Sequence, residues 1–490
     1  MSGLDAKAVR NLAVTLGPKV ARPLAFFARE RGLCVTDAKS GSTRPIPVAL
    51  TPVVLDEREL RTRAGMAAHR ASAGVKMARH ALSTPALRPL VVDALSPLER
   101  RLAEAQGARL DALATTRVDF FDNGTLWALE LNATIPAMQG YSDIAANAFI
   151  ELCGRELGFT PPEVAQLQNA NGSNAKALFT ALLDGYARVR PGQSPARIAL
   201  LSRRNDAQLT EQQYLARRFS ELGVEADVVH PDQLSGDDAV RANGRTYDLV
   251  YRHLFVRRLE EPGHAGAEYV TRLLEEPNGT RAVVLNPPAS QVEVKAVFAL
   301  LSAAVEDAAL ARAAGLTDDE LNATRATVPW TRVFKGAALL REARAHPDRF
   351  VLKRSWDYGG RAVFVGQTRA ESSFRDRAAA AFGAALEWPE LCDRAEADAR
   401  GGGFVIQELV NLQPEPHVLC LSEGPTETDL FVDFSAYATV GASREIGWGG
   451  VCRGSVSHIV NIVGGGGVLP LLTERVAGTL LERAREQRRI

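Results

Sequence analysis

Cysteine is scarce in this chain. Cys34, Cys153, Cys392, Cys420 and Cys452 are five in number, odd and widely scattered, and no Cys-x-x-Cys pair occurs. That excludes a disulfide framework and a thiolate zinc site, and a reduced cytoplasm is the expected compartment. Long apolar runs are missing too. No stretch reaches 18 uncharged apolar residues, the length a membrane-spanning helix needs. Lys19, Arg22, Arg29 and Arg31 interrupt the apolar residues near the start, so no secretory signal is expected there. An excess of either charge is also absent: 58 basic residues meet 58 acidic ones. A nucleic acid or an anionic membrane as main partner would favour a basic surplus, so neither is expected.

Lysine is the rarest of these absences for a chain of this charge. Only residues 7, 19, 39, 76, 176, 295, 335 and 353 are Lys; the other basic residues are Arg. A lysine in a special context therefore carries more information than usual. The chain has 490 residues, of which 46% are apolar and 24% charged. That mixture is globular, and the length implies about three domains or one many-lobed enzyme.

Residues 1–110 read as mostly helical, with helical patterns over Glu57–Leu82 and Ser96–Leu113, and with Pro45, Pro47 and Pro52 breaking an earlier segment. Residues 143–188 are helical again, and Pro191–Pro195 is the clearest linker. Strands are expected at Arg197–Ser202, Val224–Val229, Tyr247–Tyr251 and Ala282–Leu285, with a helix at Thr210–Leu222. This is a small doubly wound α/β unit over about 196–290. A helix over Gln291–Ala311 follows. Short strands then alternate with glycine-rich turns at Phe350–Arg354, Ala362–Val365, Phe404–Leu409 and Leu430–Val440, before a charged helix over Thr473–Arg488.

Two segments carry chemistry. In Arg117–Asn132 the pair Asn123-Gly124 separates two β-rich runs and predicts a two-residue type I′ hairpin. In that register Val118, Phe120, Trp127, Leu129 and Leu131 share one face, and Arg117, Asp119, Glu130 and Asn132 share the other. A solvated polar face is the plain reading. Two carboxylates and an amide oxygen with no lysine among them also suit a hard cation such as Mg²⁺. The second segment, Val351–Gly366, reads as strand, turn, strand. Gly359 and Gly360 let backbone N–H groups approach an anion, with Lys353 on the preceding strand able to face it. A plain glycine turn is the alternative. It is not a Walker loop, because Gly-x-x-x-x-Gly-Lys-Ser/Thr is absent. Further on, Phe404–Val410 is an apolar strand ending in Glu408. Arg453 and Asn461 then precede four glycines, Gly464–Gly467, which suggest a loop held close to a ligand or another backbone, with a flexible surface loop as the alternative. His230, His253, His417 and His458 are isolated and are expected to be structural.

In this order the elements resemble the circularly permuted ATP-grasp ligases typified by glutathionylspermidine synthetase. Arg117-x-Asp119…Glu130-x-Asn132-Ala-Thr-Ile-Pro136 is similar to that family's metal-binding element, here placed some 220 residues before Lys353 rather than after it. Asn286-Pro287…Lys295 is similar to the run that leads into the nucleotide site. The resemblance covers roughly 115–465, and Thr134–Asp143 departs from the family's acidic pattern. It implies an α/β ATP-grasp fold with residues 1–195 as a helical segment plus the permuted hairpin, 196–290 as the pre-ATP-grasp domain and 291–490 as the nucleotide-binding lobes. It implies ATP held by Lys295, Lys353, Gly359, Gly360, Gln407 and Glu408, with the backbone of Leu409 and Val410 reading the ring. Asp119, Glu130 and Asn132 would hold Mg²⁺, and Arg117, Arg453 and Asn461 would serve the transferring phosphoryl group. The implied reaction joins a small-molecule or peptide carboxylate to an amine through an acyl phosphate. A small-molecule kinase or a non-catalytic nucleotide-binding scaffold are the alternatives.

Overall fold

The computed structural model describes residues 6–279, 281–357, 359–421, 423–441, 447–462 and 466–487. Tyr358, Gly464, Gly465 and Arg488, all within segments discussed above, lie outside the described residues. Helix and strand are mixed along the chain, and three sheets organise it. No helix among the described residues is long and apolar enough to cross a membrane. All five cysteines are buried and free.

The largest sheet has seven strands, in the order Glu415–Leu421, Val48–Ala49, Gly467–Leu469, Gly447–Ser455, Gly424–Val440, Leu113–Asp122 and Leu126–Asn132. One face packs on the alanine-rich helix Glu57–Ser83, started by Asp56, whose carboxylate caps the Glu59 N–H at 2.6 Å. Gly74 on this helix lets it approach the hairpin closely, since a Cβ there would meet Leu131 Cδ2 at 2.7 Å. The other face is covered at one end by the helix Gln139–Glu156 and at the other by a four-stranded antiparallel sheet, ordered Thr331–Val333, Phe404–Glu408, Phe350–Arg354 and Val363–Val365. A four-stranded parallel sheet, ordered Val283–Leu285, Leu249–His253, Arg197–Ser202 and Glu225–Val229, lies within 196–290.

Three expectations change. The N-terminal region contains short strands at Cys34–Thr36, Thr43–Pro45, Val48–Ala49 and Val53–Leu55; the prolines mark strand ends, and Val48–Ala49 inserts into the large sheet. The expected helix over Gln291–Ala311 is three pieces, Ser290–Glu293, Ala296–Ala304 and Ala308–Ala313. At the first break the Lys295 N–H leaves the helix and donates to the Ser355 carbonyl at 2.7 Å.

The third change is the hairpin register. The loop is Asn123-Gly124-Thr125, and Asp122 pairs with Leu126 rather than Thr125. Only Gly124 takes positive φ, at 94°, so the turn is not type I′. Asn123 stabilises it with its side chain, whose Oδ1 accepts from Thr125 N–H and from Trp127 Nε1. A bulge at Leu129 then absorbs the extra residue, so that Asp119 faces Glu130 and Arg117 faces Asn132. The polar set still shares one face, and Val118, Phe120 and Leu131 are buried on the other, together with Ala128. Trp127 and Leu129 do not join them. They lie with Phe121 on the polar side and pack towards Val410, Leu412 and Phe431.

Candidate active site

Between the large sheet and the four-stranded antiparallel sheet lies a cleft of about 890 Å³, counting its open mouth. Residues far apart in sequence line it. The hairpin contributes Asp119 and Glu130, the helix break Lys295, and the second sheet Lys353, Gly360, Gln407, Glu408, Leu409 and Val410. Asp433 and Arg453 come from neighbouring strands of the large sheet, directly paired with each other. Leu129, Val351, Val363, Val365, Ile459 and Val460 supply apolar walls. Apolar walls thus face a lining that also carries ten charged side chains.

At one end the charges are mutually satisfied. Arg117 grips Asp119 with two bonds, Nε to Oδ1 at 2.7 Å and Nη2 to Oδ2 at 3.0 Å. Arg453 Nη2 donates to the same Asp119 Oδ2 at 2.9 Å, and its Nε lies 3.1 Å from both oxygens of Asp433. Burial opposes the Asp119 charge, but the two guanidiniums outweigh it and hold the carboxyl well below its usual range. Burial pushes Asp433 the other way, against the pull of Arg453. Arg117 stands behind the cleft wall. Its remaining Nη1 donates to the Ala137 carbonyl at 3.0 Å, so it braces Asp119 rather than facing the open space.

The other end is different. Lys353 Nζ donates to two neutral oxygens, Leu129 O at 3.2 Å and Gln407 Oε1 at 2.6 Å. Gln407 is fixed in turn by Thr331, whose Oγ1 accepts from its Nε2 at 3.0 Å. Burial pushes the Lys353 pKa down to about 8; Glu130 and Asp119 pull it up, and Lys295 pushes it down further. An ammonium so placed is predisposed to take an anion. Lys295 Nζ meets the Asp357 carbonyl at 2.9 Å, tying the helix break to the glycine turn.

The remaining sequence candidates sit around this core. Asn132 Nδ2 lies 3.4 Å from Asp119 Oδ2, which orients its amide oxygen away from Asp119. Gly359 and Asn461 stand outside the lining, joined by a 3.0 Å bond from Asn461 Nδ2 to the Gly359 carbonyl. Gly360 takes positive φ, and Ile459 covers it so closely that a Cβ would meet Ile459 Cγ2 at 2.5 Å. Glu408 is exposed, near Arg349 at 3.6 Å, and the Leu409 N–H is occupied by the Arg349 carbonyl at 2.8 Å.

Sequence reasoning missed Asp433, Glu293 and His458. Asp433 is a lone acid inside an apolar run, a pattern that signals a buried charge; Glu293 has Gln291 and Lys295 close by and carries no such signal. His458 lines the cleft and packs on Phe431 with ring centroids 4.0 Å apart. Nothing in the spacing around it distinguishes it from the other isolated histidines.

Glu130 and Asn132 offer the oxygen donors that suit Mg²⁺ in kind, whereas Asp119 is committed to arginine. Glu130 lines the cleft, the Asn132 amide oxygen is turned from Asp119, and both oxygens of Asp119 are engaged by arginine. No group of three His, Cys, Asp or Glu side chains is arranged around one metal position among the described residues. The lining cations Lys295, Lys353, Arg354, Arg361 and Arg453 are matched by Asp119, Glu130, Asp357, Glu408 and Asp433.

No family profile matches the sequence, and no curated protein matches it. Among solved structures the chain is similar to a glutathione synthetase-like effector of Globodera pallida in its apo form, with a TM-score of 0.55 at 11% identity, covering 96% of this chain and 98% of that one. A candidate gamma-glutamylcysteine synthetase of Methylobacillus flagellatus KT aligns with a TM-score of 0.38 at 12% identity, covering 83% of this chain and 97% of that one. The first likeness establishes a glutathione-synthetase-like fold over nearly the whole chain.

Proposed function

We propose that this chain is an ATP-dependent carboxylate–amine ligase of the ATP-grasp type, with its metal-binding hairpin in the permuted position. The observation that carries the proposal is the single cleft that gathers Asp119, Glu130, Lys353 and Arg453 across more than 300 residues of sequence. A fold shared with a glutathione synthetase-like effector supports it. In this reading 1–195 supplies the hairpin, 196–290 the preceding α/β domain and 291–490 the nucleotide lobes, and the enzyme works in the cytoplasm.

Positioning and electrostatics do most of the work in such chemistry. The apolar slot between Leu129, Val351, Val365 and Val410 takes the adenine, with Glu408 at its rim. Lys353, aimed by Gln407, holds the phosphate tail, and Lys295 steadies the turn beside it. Bound with the nucleotide, Mg²⁺ would be held by Glu130 and Asn132, with Asp119 beside them, and would supply charge neutralisation to the phosphates. Arg453 shares its guanidinium with Asp119 and Asp433, and a phosphoryl group competes for it. A carboxylate oxygen of the acid substrate attacks the γ-phosphorus and ADP leaves. The amine nitrogen then attacks the acyl carbon, phosphate leaves, and the nitrogen's proton passes to solvent.

Incubation with ATP, Mg²⁺, pools of small acids and hydroxylamine tests the reading. A hydroxamate formed together with ADP is the expected result. A phosphorylated product stable to hydroxylamine would assign a kinase instead, and nucleotide binding without turnover on any pool would assign a scaffold.

A further inference from the structure

One short segment ties the two walls of the cleft together. Asn286 is buried, and its side-chain amide donates to Thr115 O at 2.6 Å and Ala133 O at 3.0 Å while its Oδ1 accepts from Thr115 N–H at 3.2 Å. It thereby fixes the ends of both hairpin strands. Seven residues later, Glu293 Oε1 accepts the backbone N–H groups of both Ala133 and Thr134, the two residues that follow Asn132. Two residues later again, Lys295 N–H donates to Ser355 O, its Nζ to Asp357 O, and Ala296 N–H to Ser355 Oγ at 3.1 Å. The hairpin that carries Glu130 and Asn132 and the turn beside Lys353 are thus held to one rigid brace. None of the groups on this brace needs to touch a ligand to set the distance between the walls.

We propose that Glu293 is a positioning residue that, through the backbone of Ala133 and Thr134, sets the angle at which Glu130 and Asn132 meet the cation accompanying the nucleotide. The inference rests on the ligase reading of the cleft. Its chemical requirement is one oxygen that accepts two N–H bonds, not a negative charge. Glutamine keeps that oxygen, whereas methionine keeps the length and apolar packing and removes it.

The test measures binding of a non-hydrolysable ATP analogue to the full chain, with and without Mg²⁺, for the wild type, Glu293→Met and Glu293→Gln, with melting curves as the fold control. Supporting partners of metal ligands commonly contribute about 10–100-fold in metal affinity. Glu293→Met is therefore expected to lose about tenfold or more of the gain that Mg²⁺ confers, with metal-free binding nearly unchanged. Glu293→Gln is expected to stay within about twofold of the wild type. A purely structural role would weaken binding equally with and without Mg²⁺, and that result overturns the proposal. So does Glu293→Gln failing to restore the Mg²⁺ gain, a readout that stands even if Glu293→Met does not fold. A wild type that binds no nucleotide at all overturns the ligase reading itself, whereas wild-type binding with an unaltered Mg²⁺ gain in folded Glu293→Met overturns only the assignment of Glu293.

Discussion

The two ends of the cleft use the same kinds of side chain to opposite effect. At the Asp119 end, two arginines and two aspartates neutralise one another in a buried set, with Asp119 at 2% and Asp433 at 1% exposure. At the Lys353 end, a desolvated ammonium is held by a carbonyl and an amide oxygen. A paired buried charge serves the fold until a ligand competes for it, whereas an ammonium bonded to neutral oxygens keeps its charge available to an anion. Substitutions at the first end should therefore register mainly as stability, and at the second mainly as ligand affinity.

The largest effect is expected from Asp119→Ala. It strips Arg117 of its bidentate partner and leaves that buried guanidinium with a single carbonyl. Removing one partner of a buried pair costs about 3–5 kcal/mol, and denaturant unfolding should show a loss in that range. A loss under about 1 kcal/mol would place the pair in effective contact with solvent and dissolve the contrast between the ends.

Lys353→Met should do the reverse. Nucleotide affinity is expected to fall about 10–100-fold, the worth of one or two hydrogen bonds to a charged group, with the melting temperature unchanged or raised. Calorimetry and a melting curve on the same protein separate the two outcomes.

The contrast sharpens with pH. Burial sets the Lys353 pKa at about 8, below its ordinary 10.5, so the folded chain releases this proton first. Between those values the unfolded chain binds more protons, and the contribution of Lys353 makes stability rise with pH. Nucleotide affinity should move the other way, falling as the pH climbs through and beyond about 8. Lys353→Arg, which stays charged, should flatten that fall. The smallest effect is expected from Gln407→Leu, which takes one oxygen from Lys353. Affinity should fall by about 1 kcal/mol, or roughly fivefold, by the same calorimetry.

Much of this site was legible in the sequence. Asp119, Glu130 and Lys353 are recognisable because the local patterns that carry them, an Asn-Gly hairpin and a strand followed by a glycine turn, depend on near neighbours, and Arg453 stands out by the glycines that follow it. The alternating pattern places Trp127 and Leu129 on the apolar face because a bulge leaves no mark on it; one extra residue at Leu129 reverses the faces beyond it. Asp433 was not legible as a partner of Arg453, since antiparallel pairing across 20 residues is set by the register of the long strand Gly424–Val440. Glu293 was hidden for a similar reason. The sequence shows a continuous helical pattern over 291–311, and the break that turns Glu293 and Lys295 towards opposite walls follows from tertiary contacts with Ala133 and Ser355. Asn461 was singled out for the glycines that follow it, and it serves here to hold the Gly359 turn.

The most direct test of the central claim is calorimetric titration of the folded wild-type chain with a non-hydrolysable ATP analogue and Mg²⁺, alongside Lys353→Met. The account predicts one site per chain, tighter with Mg²⁺ than without, and weakened about tenfold or more by the substitution. Absence of binding by the wild type, or binding of equal strength in Lys353→Met, would contradict it.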